Sequence, residues 1–206
     1  MNISDTGVLK RNLDLAGCVA AVTLAFLDRH GTFVDYAGGY GLFTRRMRDL
    51  GFDFRWTDPL TENLLARGFE YQAEKGDIEA VTAFEVFEHF VLPLHEIDRI
   101  VQISPNVMFS TVLLPEGKVP PETWWYYGFE HGQHVSFYTL RTLKHLADLL
   151  GLSLCSNGRD FHVFSKRRIP NSLFRWVLRL RHAVPMSAIE LLLGSKTWSD
   201  MMFLRG

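Results

Sequence analysis

Val34-Asp35-Tyr36-Ala37-Gly38-Gly39-Tyr40-Gly41 decides how the rest of the chain is read. A β-rich run, Thr32 to Ala37, leads into it. Leu42, Met47 and Leu50 leave it at helical spacing, and Gly51 stops them. A glycine-rich turn between a strand and a helix lets the backbone approach a ligand closely, and it leaves the first N–H groups of the helix free to face that ligand. Taken alone, the turn also fits a tight corner with no ligand. The next strand adds a second feature. Phe52 to Thr57 is closed by Asp58-Pro59, and Asp58 stands 23 residues beyond Asp35. An acid at that place in a dinucleotide fold can accept two ribose hydroxyls. An Asp before Pro also starts turns.

The pattern continues on both sides. Val8, Leu13, Leu15, Val19, Val22 and Phe26 predict an N-terminal helix that Gly31 closes. Phe69 to Gln72 reads as a weak strand and Ala80 to Phe84 as a stronger one ending in Glu85. Leu92 to Ile103 reads as a helix and Asn106 to Leu113 as a buried strand. Leu114 to Ser136 is long, aromatic and proline-containing, the kind of loop that is usually functional. Leu140 to Leu150 reads as a helix ended by Gly151, and short strands follow near Leu152 to Ser156 and Phe161 to Ser165. The prediction is an α/β fold: a Rossmann-like parallel sheet with an antiparallel C-terminal edge hairpin and helices on both faces.

Composition narrows the function classes. The formal net charge of the 206 residues is −1, which gives no bulk electrostatic case for nucleic acid. The charge is uneven: from Lys166 onward the chain is +6, and the remainder is −7. In Phe174 to Val184, Arg175, Arg179 and His182 share one helical face and Phe174, Val177 and Leu180 another. That reads as a packed terminal helix, or as a contact with a membrane surface or an acidic partner. The longest apolar run, Leu15 to Leu27, has 13 residues, whereas a membrane span needs about 20. Asp5 and Asp14 break a signal-peptide pattern, so a cytoplasmic protein is expected. Cys18 and Cys155 read as buried thiols of a reducing compartment. They show no ligand spacing, and no metal is expected.

Four blocks carry a family resemblance. Asp35-x-Ala37-x-Gly39-x-Gly41 resembles motif I of the class I methyltransferases, usually D-x-G-x-G-x-G. Ala83-Phe84-Glu85-Val86-Phe87-Glu88-His89 resembles their E-V-x-E-H motif. Asn106 to Leu113 resembles their fifth strand, and the block from His134 through Phe137 to Leu140 resembles the one that follows it. In this order, over roughly Gly31 to Lys166, the chain is similar to the bacterial UbiG-like and "methyltransferase 23" groups of S-adenosylmethionine (SAM)-dependent enzymes.

The resemblance implies SAM as cofactor and S-adenosylhomocysteine as product. Asp35, Ala37, Gly38, Gly39, Gly41, Asp58, Asp77 and Glu85 are the implied cofactor residues. Two departures stand out. Ala37 replaces the first glycine of motif I, which is tolerable where that position has φ below zero. The stretch from Asp58 to Glu85 is short, so Asp77 is either the adenine-contacting acid or a solvated turn residue beside Glu79. The implied domains are a helical segment 1–30 packing on the core, a SAM-binding domain 31–167 and a basic helical tail 168–206.

Methyl transfer to a hydroxyl benefits from a base, and histidine has the intrinsic pKa for it. His134 is the first candidate and His131 the second; a capping or packing role is the other reading of each. Glu88 and His89 follow a strand's C-terminal end, where ligands bind in open α/β sheets, or else they hold the loop. Trp124, Trp125, Tyr126 and Tyr127 line the acceptor site or form a lid packed on the core. The resemblance implies a small or sugar-containing acceptor, methylated at oxygen, in bacterial cell-surface polysaccharide or related biosynthesis. A catalytically silent SAM-binding partner protein is the rival of another class. A nicotinamide-dependent oxidoreductase is disfavoured, because a third glycine three residues past Gly41 is missing. Nothing in the sequence indicates the oligomeric state.

Overall fold

The computed structural model describes residues 6–73, 76–129 and 134–206. In chain order the elements are α1 (Val8–Phe26), β1 (Thr32–Tyr36), α2 (Leu42–Asp49), β2 (Asp53–Thr57), β3 (Ile78–Ala83), α3 (Pro93–Ile103) and β4 (Val107–Ser110). After them come α4 (Leu140–Leu149), β5 (Ser153–Ser156), β6 (Phe161–Ser165), α5 (Asn171–Leu180), α6 (Met186–Leu193) and α7 (Thr197–Arg205). The sheet order is β2-β1-β3-β4-β6-β5. β1 and β2 pair in parallel, as do β3 and β4, while β6 is antiparallel to both β4 and β5. This is the Rossmann-like sheet with an antiparallel edge hairpin that the sequence predicts. The weak strand at Phe69 to Gln72 shrinks to one bridge between Trp56 and Glu70. Trp56 supplies both of its bonds, donating to Phe69 O and accepting from Tyr71 N, both at 2.8 Å.

The chain forms two compact units, residues 1–80 with 176–206, and residues 81–175. In the first, Phe33 of β1 is in register with Phe54 of β2, and their rings stack at 5.1 Å. Met47 and Leu50 fill the core, as their spacing predicts. The same helix carries Arg48, which is buried. Its guanidinium holds Asp200 of α7 through two bonds of 2.8 and 2.7 Å, Asp53 at 2.6 Å, and the carbonyl of Phe54 at 2.9 Å. It also lies 3.8 Å over the Phe69 ring. The basic tail is thus three short helices, and the last is anchored by one of its two acids.

In the second unit, Phe87 stacks on Phe109 at 4.1 Å, and Phe109 meets Phe164 at 4.7 Å. Thr139 caps α4 by accepting from Thr142 N, which satisfies one of the helix's free donors. The Tyr138 hydroxyl, pushed up to about 12 by burial, donates to Phe87 O. Cys18 and Cys155 are free and buried, and burial pushes the Cys155 thiol up to about 11. No helix among the described residues is long and apolar enough to cross a membrane.

β6 also buries His162 completely. Nε2 faces the carbonyl of Thr111 at 3.0 Å and must donate to it, so Nδ1 accepts from the Ser156 hydroxyl at 2.9 Å. That hydroxyl in turn accepts from Gly158 N. The ring is therefore satisfied as a neutral imidazole, and burial lowers its pKa to about 4. The unfolded chain takes up this proton near pH 6.5, so the folded state loses stability as pH falls from about 6.5 to about 4. The loss is about 3 kcal/mol for a shift of this size. Denaturant unfolding across that window should show the loss in the wild type and a fall shallower by about that amount in His162→Gln. Parallel curves would mean that the imidazole takes up its proton as readily in the folded chain as in the unfolded one.

Candidate active site

The motif I turn lies in the first unit, and its glycines do two different jobs. At Gly38 a Cβ would stand 2.6 Å from Asp35 Oδ2 and 2.8 Å from the Trp56 ring. At Gly41, with φ +84°, it would meet Asn63 Oδ1 at 2.9 Å. These two are glycine because the protein itself fills the space. Gly39 has φ +54° and nothing within 4 Å of where a side chain would begin. Its backbone borders open space, as a surface that cradles a ligand does. The residue is clamped at both ends: its N–H donates to Asp58 Oδ2 at 2.9 Å, and its carbonyl accepts from Trp56 Nε1 at 2.8 Å.

Asp35 is buried beneath the turn and accepts from the Thr44 hydroxyl of α2 at 2.9 Å, tying the strand to the helix. Ala37 corrects an expectation. Its φ is +55°, not negative, so it occupies the left-handed region that glycine favours. An alanine there carries a strain of roughly 1–2 kcal/mol, held by the bonds on either side of it. Asp58 stands at the end of β2 as predicted, but it is already engaged. Oδ1 accepts from Leu60 N and Thr61 N, and Oδ2 from Gly39 N. A carboxylate offers about four lone-pair positions, so about one remains for a ribose hydroxyl rather than the two expected. Asp77 is exposed one residue before β3. Thr44 and Trp56 were missed by the sequence reading; the donor-bearing aromatic two residues before Asp58 was the available signal.

The second unit holds the other predicted residues. Glu85, just after β3, is also left-handed at φ +56°. Its N–H donates to the Ser110 hydroxyl, which donates back to Glu85 Oε1, both at 2.8 Å. Such a strained conformation clusters at functional sites. The 3₁₀ turn Phe87–His89 then presents Glu88 and His89. The Glu88 carbonyl accepts from Val135 N and Ser136 N, at 2.8 and 3.0 Å, which pins the segment carrying His134. The His89 and His134 rings lie 5.0 Å apart. His134 Nδ1 sits 2.6 Å from the carbonyl of Tyr126. A carbonyl only accepts, so Nδ1 carries the proton, and in the neutral ring Nε2 keeps its lone pair. His131 lies outside the described residues.

The four aromatics divide. Tyr126 is core: its hydroxyl meets Thr111 Oγ1 and accepts from Val112 N, both at 3.1 Å. Burial, with the charge of Glu88 next, pushes its phenol up. Trp124 packs between Tyr126 and Tyr127, while Trp125 is 73% exposed. Tyr127 and Phe137, with Thr139 and the Leu114–Pro120 segment, line an open cleft of about 340 Å³, a size within the range of small-molecule sites.

A family described as "Methyltransferase domain" matches residues 10–157. The chain belongs to this family. Its members are class I methyltransferases, which use SAM, and the open backbone at Gly39 fits such a cofactor. The chain is similar in fold to TnmH, with a TM-score of 0.55, 16% identity, and coverage of 79% of this chain and 57% of that one. It is also similar to magnesium protoporphyrin IX methyltransferase (ChlM) from Synechocystis PCC 6803 with bound S-adenosylhomocysteine. There the TM-score is 0.54, the identity 14% and the coverage 80% and 88%. An O-methyltransferase family protein from Burkholderia thailandensis gives a TM-score of 0.52 at 16% identity, covering 78% and 56%. The chain thus spans a little over half of TnmH and of the Burkholderia protein. No curated protein matches it.

Proposed function

We propose that the chain transfers a methyl group from SAM to an oxygen of a small or sugar-containing acceptor, in bacterial cell-surface polysaccharide or related biosynthesis. The observation that carries the reading is the clamped, open backbone at Gly39. Ala37 to Gly41 and the remaining lone pair of Asp58 would hold the cofactor, with the positive N-terminal end of α2 behind the turn. SAM supplies a methyl on a sulfonium, which leaves the protein the work of alignment and desolvation. Asp77 and Glu85 complete the proposed cofactor set. On the acceptor side, Tyr127 and Phe137, whose rings stand at 83° to each other, give aromatic faces on which a sugar can pack. His134 Nε2 is the basic atom that handles the hydroxyl proton. A cytoplasmic setting is supported by the buried free thiols Cys18 and Cys155.

Calorimetry with SAM, S-adenosylhomocysteine and NAD tests the cofactor. SAM and S-adenosylhomocysteine should bind and NAD should not. Gly39→Val puts a branched side chain into the open space, and a clash of only ~1.4 kcal/mol weakens binding tenfold. A folded Gly39→Val chain that binds SAM as the wild type does would show that the site lies elsewhere.

A further inference from the structure

We propose that Glu88, His89 and His134 form a binding site for a divalent first-row cation that acidifies the acceptor hydroxyl. One ligand atom from each lies within 4.8 Å of the other two. Bonds of about 2.1 Å in tetrahedral or octahedral geometry place ligand atoms roughly 3–3.5 Å apart, so the three side chains have to draw together when an ion binds. Two imidazoles and a carboxylate suit ions such as Mn²⁺, Co²⁺ or Zn²⁺. Three protein ligands leave positions open, the pattern of catalytic rather than structural sites.

Two observations besides proximity support the site. Metal-bound histidines characteristically donate their other ring N–H to a carbonyl or carboxylate, which fixes the tautomer. His134 does this to the Tyr126 carbonyl, leaving Nε2 as the donor atom. Glu88 is fully buried, and its own carbonyl fixes the His134 segment through Val135 and Ser136. A buried carboxylate favours a nearby cation.

This inference rests on the methyltransferase reading and deepens it. An acceptor hydroxyl at the open positions would lose its proton to solvent water more readily. The new C–O bond then forms as the methyl's C–S bond breaks, and the sulfonium becomes a neutral thioether. His134 then serves as a ligand rather than as the base itself.

The test is a titration of the metal-free chain with Mn²⁺, followed by loss of the free-ion electron paramagnetic resonance signal. A parallel Co²⁺ titration reads ligand-field absorption. One equivalent of each should bind. His89→Ala and His134→Ala should weaken binding by at least roughly 10–100-fold, since losing even an outer partner does so. Calorimetry with S-adenosylhomocysteine on the same samples verifies that the variants remain folded. Mn²⁺ binding that survives both substitutions overturns the site. So does a wild type that binds S-adenosylhomocysteine but no Mn²⁺, and that outcome returns His134 to a metal-free base. Mn²⁺ binding without S-adenosylhomocysteine binding sinks the methyltransferase reading and leaves the cation site standing.

Discussion

Arg48→Ala is expected to destabilise the chain by about 3–5 kcal/mol, the range for breaking one side of a buried ion pair. The guanidinium is 4% exposed and makes four hydrogen bonds, two of them to Asp200, which is equally buried. Burial works against every charge in this group, yet bonds to Arg48 leave Asp200 and Asp53 below the usual carboxylate range. Without Arg48, Asp200 keeps Arg45, at 2.9 Å, as its one ion-pair partner among the described residues, and α7 loses its main anchor. For a chain of this size the melting temperature should fall by roughly 10 °C or more. The cost should come from the stranded charge. The double variant Arg48→Met with Asp200→Leu should therefore recover much of the stability. Thermal unfolding of both variants decides the matter: if the single change costs under about 1 kcal/mol, the pair behaves like an exposed surface bridge.

His134→Gln should lower turnover by about two to four orders of magnitude, the usual contribution of a group that manages a reacting proton. Glutamine can still donate an N–H to the Tyr126 carbonyl, so the packing against that ring is largely kept. It has no basic nitrogen to replace Nε2, whether the lone pair takes a proton or a cation. Melting temperature and S-adenosylhomocysteine affinity should stay at wild-type values. Near-normal turnover would remove His134 from the chemistry. A fall in stability that tracks the fall in rate would make it a packing residue on Tyr126, whose ring lies 4.7 Å away.

What the sequence conceals most are groups whose partners lie far along the chain. Arg48 is an ordinary polar residue between two core positions of α2 until Asp200, 152 residues later, folds against it. The cation proposal has the same origin. His134 stands across a long loop from Glu88 and His89, and no linear spacing announces the three. Ala37 differs in kind. Its left-handed φ belongs to the turn's own backbone, but an alanine letter signals the opposite.

The order of strands and helices was legible because apolar periodicity is local. Thr32–Tyr36, Asp53–Thr57 and the Ser153–Ser165 hairpin follow from alternation and turn residues alone. The glycine turn and Asp58 were legible because a close backbone approach needs a residue without Cβ, and a strand end places the acid. Tertiary structure alone decided what those groups have left to give. It spent three of the Asp58 lone-pair positions on backbone N–H groups, turned Tyr126 into the core and left Gly39 bare. A side chain's letter fixes its chemistry, but only packing fixes which of its atoms remain accessible.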